Sequence, residues 1–210
     1  MRAVLWDLDG TLVDSAGDIA AAVDRTLVRT GRAPLGEALV RGFIGDGARK
    51  LVDRCVEAAG GRPGEGDLAV FLEEYGAALV VRTRVYDGLV AVLDAVRAPM
   101  AVVTNKPEAF SRTILAGLAL ARFFPVVIGG DTFPVRKPDP TMLHEALRRL
   151  DAPDGVMVGD GPADVGAARA AGLPMIGVGW GIAAPLGADV SVATPTALLE
   201  ALRSAGVALR

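Results

Sequence analysis

One cysteine, one histidine and very few aromatic residues set the first limits on this sequence. Cys55 alone excludes an internal disulfide, and a single thiol suits a reducing compartment. It lies in the apolar helical stretch 51–59 and reads as packing. His144 falls in mid-helix, away from every motif, so histidine chemistry has no candidate. Aromatics are 5% of the chain while Ala, Val and Leu abound. That favours helices packed on a sheet over an aromatic-rich all-β fold. No basic block stands out and the formal net charge is -3, so a nucleic-acid partner has no electrostatic footprint. No apolar run approaches the roughly 18 residues that span a bilayer. The short apolar run before Asp7 is too brief for a signal-peptide core. The expectation is a cytoplasmic protein with no membrane partner, a monomer or a homodimer.

Apolar residues nevertheless make up 51% of the 210, enough for a sizeable core. Five short runs rich in Val, Ile, Leu or Met read as buried parallel strands: 3–8, 100–104, 126–128, 156–158 and 175–178. Helical patterns at 108–118, 141–150, 163–171 and 198–204 alternate with them, which predicts a doubly wound parallel α/β sheet. About ninety residues separate the first two strands, where a crossover needs only about a dozen. Residues 89–96 supply the crossover helix. The surplus carries helical patterns at 18–29, 49–59 and 68–81, broken by Gly and Pro clusters. Residues 15–83 are therefore expected to form an inserted helical cap, with 1–14 and 84–210 as the α/β core.

In open α/β sheets ligands bind beyond the carboxyl ends of the strands. Asp7-Leu8-Asp9-Gly10-Thr11 stands at the end of the first expected strand, Thr104-Asn105-Lys106 at the end of the second, and Gly159-Asp160 with Asp164 beyond the fourth. Asp7 and Asp9, two apart on an extended chain, project to one side. Asp160 and Asp164 bring the count to four carboxylates in one cleft. Like charges that close need compensation, and oxygen-only ligands point to Mg²⁺. Lys137 is the second compensating charge, held by a helix start at Asp139-Pro140. A metal, a carboxylate, a lysine and a hydroxyl together equip a site for phosphoryl transfer. A carboxylate can attack phosphorus, and a second can serve as acid and base. Any one Asp-Gly pair is ordinary turn chemistry; the argument rests on several signals in order, each at a strand end or loop.

These residues resemble the haloacid dehalogenase superfamily. Asp7-Leu8-Asp9-Gly10-Thr11 is similar to its first motif, Thr104-Asn105 to its second, Lys137 in Arg136-Lys137-Pro138 to its third, and Gly159-Asp160 with Asp164 to its fourth. The resemblance implies Asp7 as nucleophile, Asp9 as acid and base, and Lys137 as a catalytic cation. It implies Mg²⁺ on Asp7, the Asp9 main-chain carbonyl and Asp160, with Asp164 nearby. Gly10, Thr104, Asn105, Lys106 and Lys137 are the expected phosphate and substrate contacts. Thr104-Asn105-Lys106-Pro107, Gly129-Gly130-Asp131 and Phe43-Ile44-Gly45-Asp46-Gly47 resemble the phosphoglycolate phosphatase group, which implies a small phosphorylated metabolite as substrate. Gly161 and Ala163 depart from the family pattern and remove hydrogen bonds that would tune the metal site. A phosphomutase, a pyrophosphatase and a catalytically inactive binding protein on the same fold stay open. Lys106 reads equally as a substrate contact or a solvated residue. Arg41, Arg49 and Lys50 flank the cap glycines as candidates for an anionic substrate.

Overall fold

The computed structural model describes residues 1–210. Six strands form one sheet: β1 (Ala3–Trp6), β4 (Met100–Val103), β5 (Val126–Ile128), β6 (Gly155–Gly159), β7 (Met175–Val178) and β8 (Val190–Val192). Their order is β5-β4-β1-β6-β7-β8 and every pairing is parallel. The inner strands are continuous apolar runs because both faces are covered. Side chains alternate accordingly. Val4 and Trp6 enter a cluster of 38 buried residues on one face, while Ala3 and Leu5 enter a cluster of 15 on the other. The helices α5 (Leu89–Ala95), α6 (Glu108–Gly117), α7 (Thr141–Arg149), α8 (Pro162–Ala171) and α9 (Pro195–Ser204) supply the cover. Asp139 Oδ1 accepts from the Thr141 amide at 2.9 Å, but the N-cap of α7 is Pro140, one residue later than expected, because the Pro140 carbonyl accepts the first helical bonds. This is the doubly wound α/β sheet that strand–helix alternation predicts.

Four helices precede α5: α1 (Ala16–Arg29), α2 (Glu37–Arg41), α3 (Ala48–Ala58) and α4 (Glu65–Gly76). They contribute no strand to the sheet. A two-residue antiparallel ladder, β2 (Val13–Asp14) with β3 (Arg84–Val85), draws the entry and exit of this segment together. Asp18 secures the exit. Its carboxylate accepts from the Val81, Arg82 and Thr83 amides and from the Thr83 hydroxyl, at 2.7–3.0 Å.

Several elements differ from expectation. β1 stops at Trp6, because Leu8 O accepts from the amides of Thr11, Leu12 and Val13 and the chain turns tightly. β8 is an edge strand with Val190 and Ser191 exposed, so no buried apolar run announced it. α2 spans five residues and buries only Val40, too little for a periodic signal. α4 ends at Gly76 rather than running to 81, and the chain then delivers residues 81–83 to Asp18.

Candidate active site

Because β1 lies between β4 and β6, their carboxyl ends stand together on one edge of the sheet. Chain connections leave in opposite directions there, which is where such sheets bind ligands. Asp7, Thr104 and Asp160 each follow the last residues of one of these three strands, and α8 presents Asp164 from its first turn. Lys137 arrives on the loop between β5 and α7, beside a cis peptide bond to Pro138. Its Nζ donates to Asp7 Oδ1 at 2.7 Å, to Asp164 Oδ1 at 2.6 Å and to Val103 O at 2.7 Å. Asp160 Oδ2 accepts from the Ile182 and Ala183 amides. Gly10 has φ +83° and packs against Asp160, where a Cβ would stand 2.2 Å from Oδ2. Only glycine meets both conditions.

Oxygens of Asp7, Asp160 and Asp164 lie within 4.8 Å of one another, and all three residues are buried. Burial pushes the Asp7 carboxyl up, to about 7; Lys137 pulls against this, while Asp164 and Asp160 add to it. Burial likewise raises Asp160 to about 6. Burial works to lower the Lys137 pKa, yet the Asp164 and Asp7 carboxylates outweigh it and hold it above the ordinary lysine value. The cluster is thus short of positive charge. Five carboxylates and three cations line the surrounding cavity of about 340 Å³. An all-oxygen cluster with surplus negative charge is a fitting site for a hard divalent cation.

Asp9 lines the same cavity at a separate position. Since the chain turns after Trp6, its side chain does not join the other three carboxylates. Ser15 Oγ donates to Asp9 Oδ1 at 2.5 Å and Lys106 Nζ to Oδ2 at 2.8 Å. Lys106 is not solvated; it is buried on the cavity wall, against Asp9 and over the Tyr75 ring. Thr104 Oγ1 accepts from the Lys106 amide at 3.3 Å, leaving its own hydrogen to donate. Asn105 Nδ2 donates to Gly45 O and Lys137 O, so its side chain ties the helical segment to the lysine loop. Arg41 donates to Gly181 O, Arg49 pairs with Glu65 and Asp53, Lys50 is exposed, and none lines the cavity. His144 is exposed on α7. Sequence reasoning missed Ser15 and Arg54, and gave Asp46 no role beyond its place in the 43–47 segment. Ser15 carries no motif signal. Arg54 was findable, three residues after Leu51 on one face of α3.

Residues 1–172 match the haloacid dehalogenase-like hydrolases. The chain belongs to this family. Phosphoglycolate phosphatase of Pseudomonas fluorescens is 40% identical over 215 residues, covering 96% of this chain and 77% of that protein. A protein of Cupriavidus necator named phosphoglycolate phosphatase, plasmid, is 41% identical over 219 residues, covering 98% and 95%. A crystal structure described as a predicted phosphoglycolate phosphatase from Haemophilus somnus superposes with a TM-score of 0.87 at 27% identity, covering 96% of this chain and 97% of that one. The hydrolase is a phosphatase of this family, an enzyme acting on phosphoric monoesters. No helix in it is long and apolar enough to cross a membrane.

Proposed function

We propose that this hydrolase cleaves a small phosphate monoester, 2-phosphoglycolate, through an aspartyl-phosphate on Asp7. The observation that carries the reading is the buried contact of Lys137 Nζ with Asp7 Oδ1 at 2.7 Å, inside a cavity that also holds Asp9, Thr104, Asp160 and Asp164. Its volume lies at the lower end of the roughly 300–1,000 Å³ typical of small-molecule sites, which favours a small ester. The relatives named phosphoglycolate phosphatase support the choice of substrate.

In the first step an Asp7 oxygen attacks phosphorus. The bond to the ester oxygen breaks, and that oxygen takes a proton from Asp9 as the alcohol leaves. In the second step Asp9 accepts a proton from water as the water oxygen attacks the same phosphorus. The bond to Asp7 breaks and phosphate is released, with Asp9 protonated again. Lys137 and the Thr104 hydroxyl donate to phosphate oxygens, stabilising the charge that spreads over them. Asn105 holds the lysine loop and the Gly45 loop beside the phosphate, and Gly10 leaves room for Asp160. Asp7, Asp160 and the Asp9 carbonyl, with Asp164 nearby, would hold Mg²⁺. When bound it supplies compensating positive charge for the carboxylates and for the phosphate. We take residues 15–83 to be a cap that closes over residues 1–14 and 84–210 and excludes water. The reading carries with it a cytoplasmic location.

Rapid quenching of the enzyme with substrate labelled in the phosphate tests the proposal. The label should stay on the unmutated protein and be absent from Asp7→Asn, which should also release no phosphate. A labelled, active Asp7→Asn protein would overturn the assignment.

A further inference from the structure

Helix α3 forms part of the cavity wall, and its periodicity decides which of its charges face inward. Gly47, Ala48, Leu51 and Arg54 line the cavity. They recur at three or four residues and share one face. Arg49 and Lys50 fall off that face. Arg54 is therefore the one cation that the four-helix segment turns toward the site; the other charged residue it contributes to the lining is Asp46.

The state of the three lining cations differs. Lys137 is enclosed by Asp7 and Asp164, and Lys106 by Asp9. Both are buried and committed. Arg54 keeps 41% of its side chain exposed. It donates to Asp46 Oδ2 at 2.5 Å and, weakly, to Phe43 O at 3.4 Å. A guanidinium has five N–H donors in a planar fork, so others remain free for a second acceptor. That fork matches a carboxylate in two-point contact, which a lysine cannot reproduce. The segment's other lining side chains are chiefly apolar: Ile19, Ile44, Leu51 and Phe71. A substrate tail with a negative end finds a single counter-charge on this side.

We infer that Arg54 is a specificity-determining residue, binding a carboxylate at the end of the substrate remote from the phosphate. The inference rests on the phosphatase reading above and gives that reading its selectivity. Asp46, already bonded to the guanidinium, holds Arg54 in place and leaves its remaining donors to the ligand.

The test compares 2-phosphoglycolate with ethyl phosphate, in which a methyl group replaces the carboxylate, on the full-length enzyme with Mg²⁺. Arg54→Gln removes the charge and Arg54→Lys keeps it without the fork. For Arg54→Gln, kcat/KM on 2-phosphoglycolate should fall about 10- to 100-fold, mainly through KM, while ethyl phosphate changes by about threefold or less. Arg54→Lys should recover part of the loss. Equal losses on both substrates would show a merely structural role and overturn the inference, as would an unchanged KM for 2-phosphoglycolate. Failure of the underlying reading shows separately, as an unmutated enzyme that releases phosphate from neither ester.

Discussion

Lys106 Nζ stands 2.8 Å from Asp9 Oδ2 and 4.6 Å from the centre of the Tyr75 ring. One buried ammonium thus links the loop after β4, the loop after β1 and helix α4. Burial works against the charge on Lys106, but Asp9 and Tyr75 outweigh it and hold its pKa above the ordinary value. Ser15 grips the other Asp9 oxygen. The carboxylate has little rotational freedom, and a group that must first give and then take a proton is worth most when so aimed.

Lys106→Met keeps the length of the side chain and removes the charge. Breaking a buried pair on one side costs about 3–5 kcal/mol of stability. If Lys106 orients Asp9, kcat should also fall about 10- to 100-fold with KM less affected. Urea unfolding and phosphate release measure the two effects. A destabilised variant with unchanged kcat would remove the orienting role.

Much of this site was legible in the sequence for a simple reason. The inner strands are unbroken apolar runs, so the residue after each one is easily placed, and Asp7, Thr104 and Asp160 all hold such positions. Parallel pairing then brings them together. What stayed hidden depends on side-chain direction. Asp9 shares the cleft with the other three carboxylates, as expected, but its side chain pairs with Ser15 and Lys106 instead of joining their cluster, because the strand ends before it does. Lys106 gave no sign of which neighbour it would meet. β8, exposed at the sheet edge, lacks the apolar run that marks its siblings.

The return of the chain from the helical segment hangs on Asp18. Burial works against ionisation of this carboxyl, but the Thr83 hydroxyl and the Arg82, Thr83 and Val81 amides outweigh it and hold its pKa below the usual carboxylate value. A depressed acid contributes stability above its unfolded pKa of about 3.9 and loses it as pH falls through the lower folded value. Asp18→Asn should cost about 1.5–3 kcal/mol at pH 7, the range for hydrogen bonds to a charged group. The gap between variant and parent should narrow below about pH 4, as the parent's own carboxyl protonates. Denaturant unfolding at both pH values checks this; a gap independent of pH would contradict the role of the ionised form.

Cys55 offers a test of packing in the helical segment. It is 1% exposed on α3, and burial pushes its thiol up to about 12, with Asp24 adding to the rise and Arg54 opposing it. Thiolate is the reactive form. The folded protein at pH 8 should resist a disulfide-exchange reagent such as DTNB and should yield one equivalent of thiol after denaturation. Prompt reaction in the native state would mean that α3 opens readily.

Removing divalent cations tests the carboxylate cluster directly. Asp7, Asp160 and Asp164 crowd their oxygens within 4.8 Å around a single ammonium, and burial holds the first two above the ordinary carboxylate range. The unfolded chain scatters these residues and has no such site. An ion that binds only the folded state stabilises it by about 2.7 kcal/mol at a hundred times its Kd. Mg²⁺ should therefore raise Tm, and chelator should reverse the rise and abolish phosphate release together. Asp160→Asn removes one ligand charge while its neighbours keep theirs. It should stay folded and lose most of the Mg²⁺-dependent shift in Tm. A shift that survives in Asp160→Asn would place the ion elsewhere, and activity indifferent to chelator would remove the metal from the mechanism.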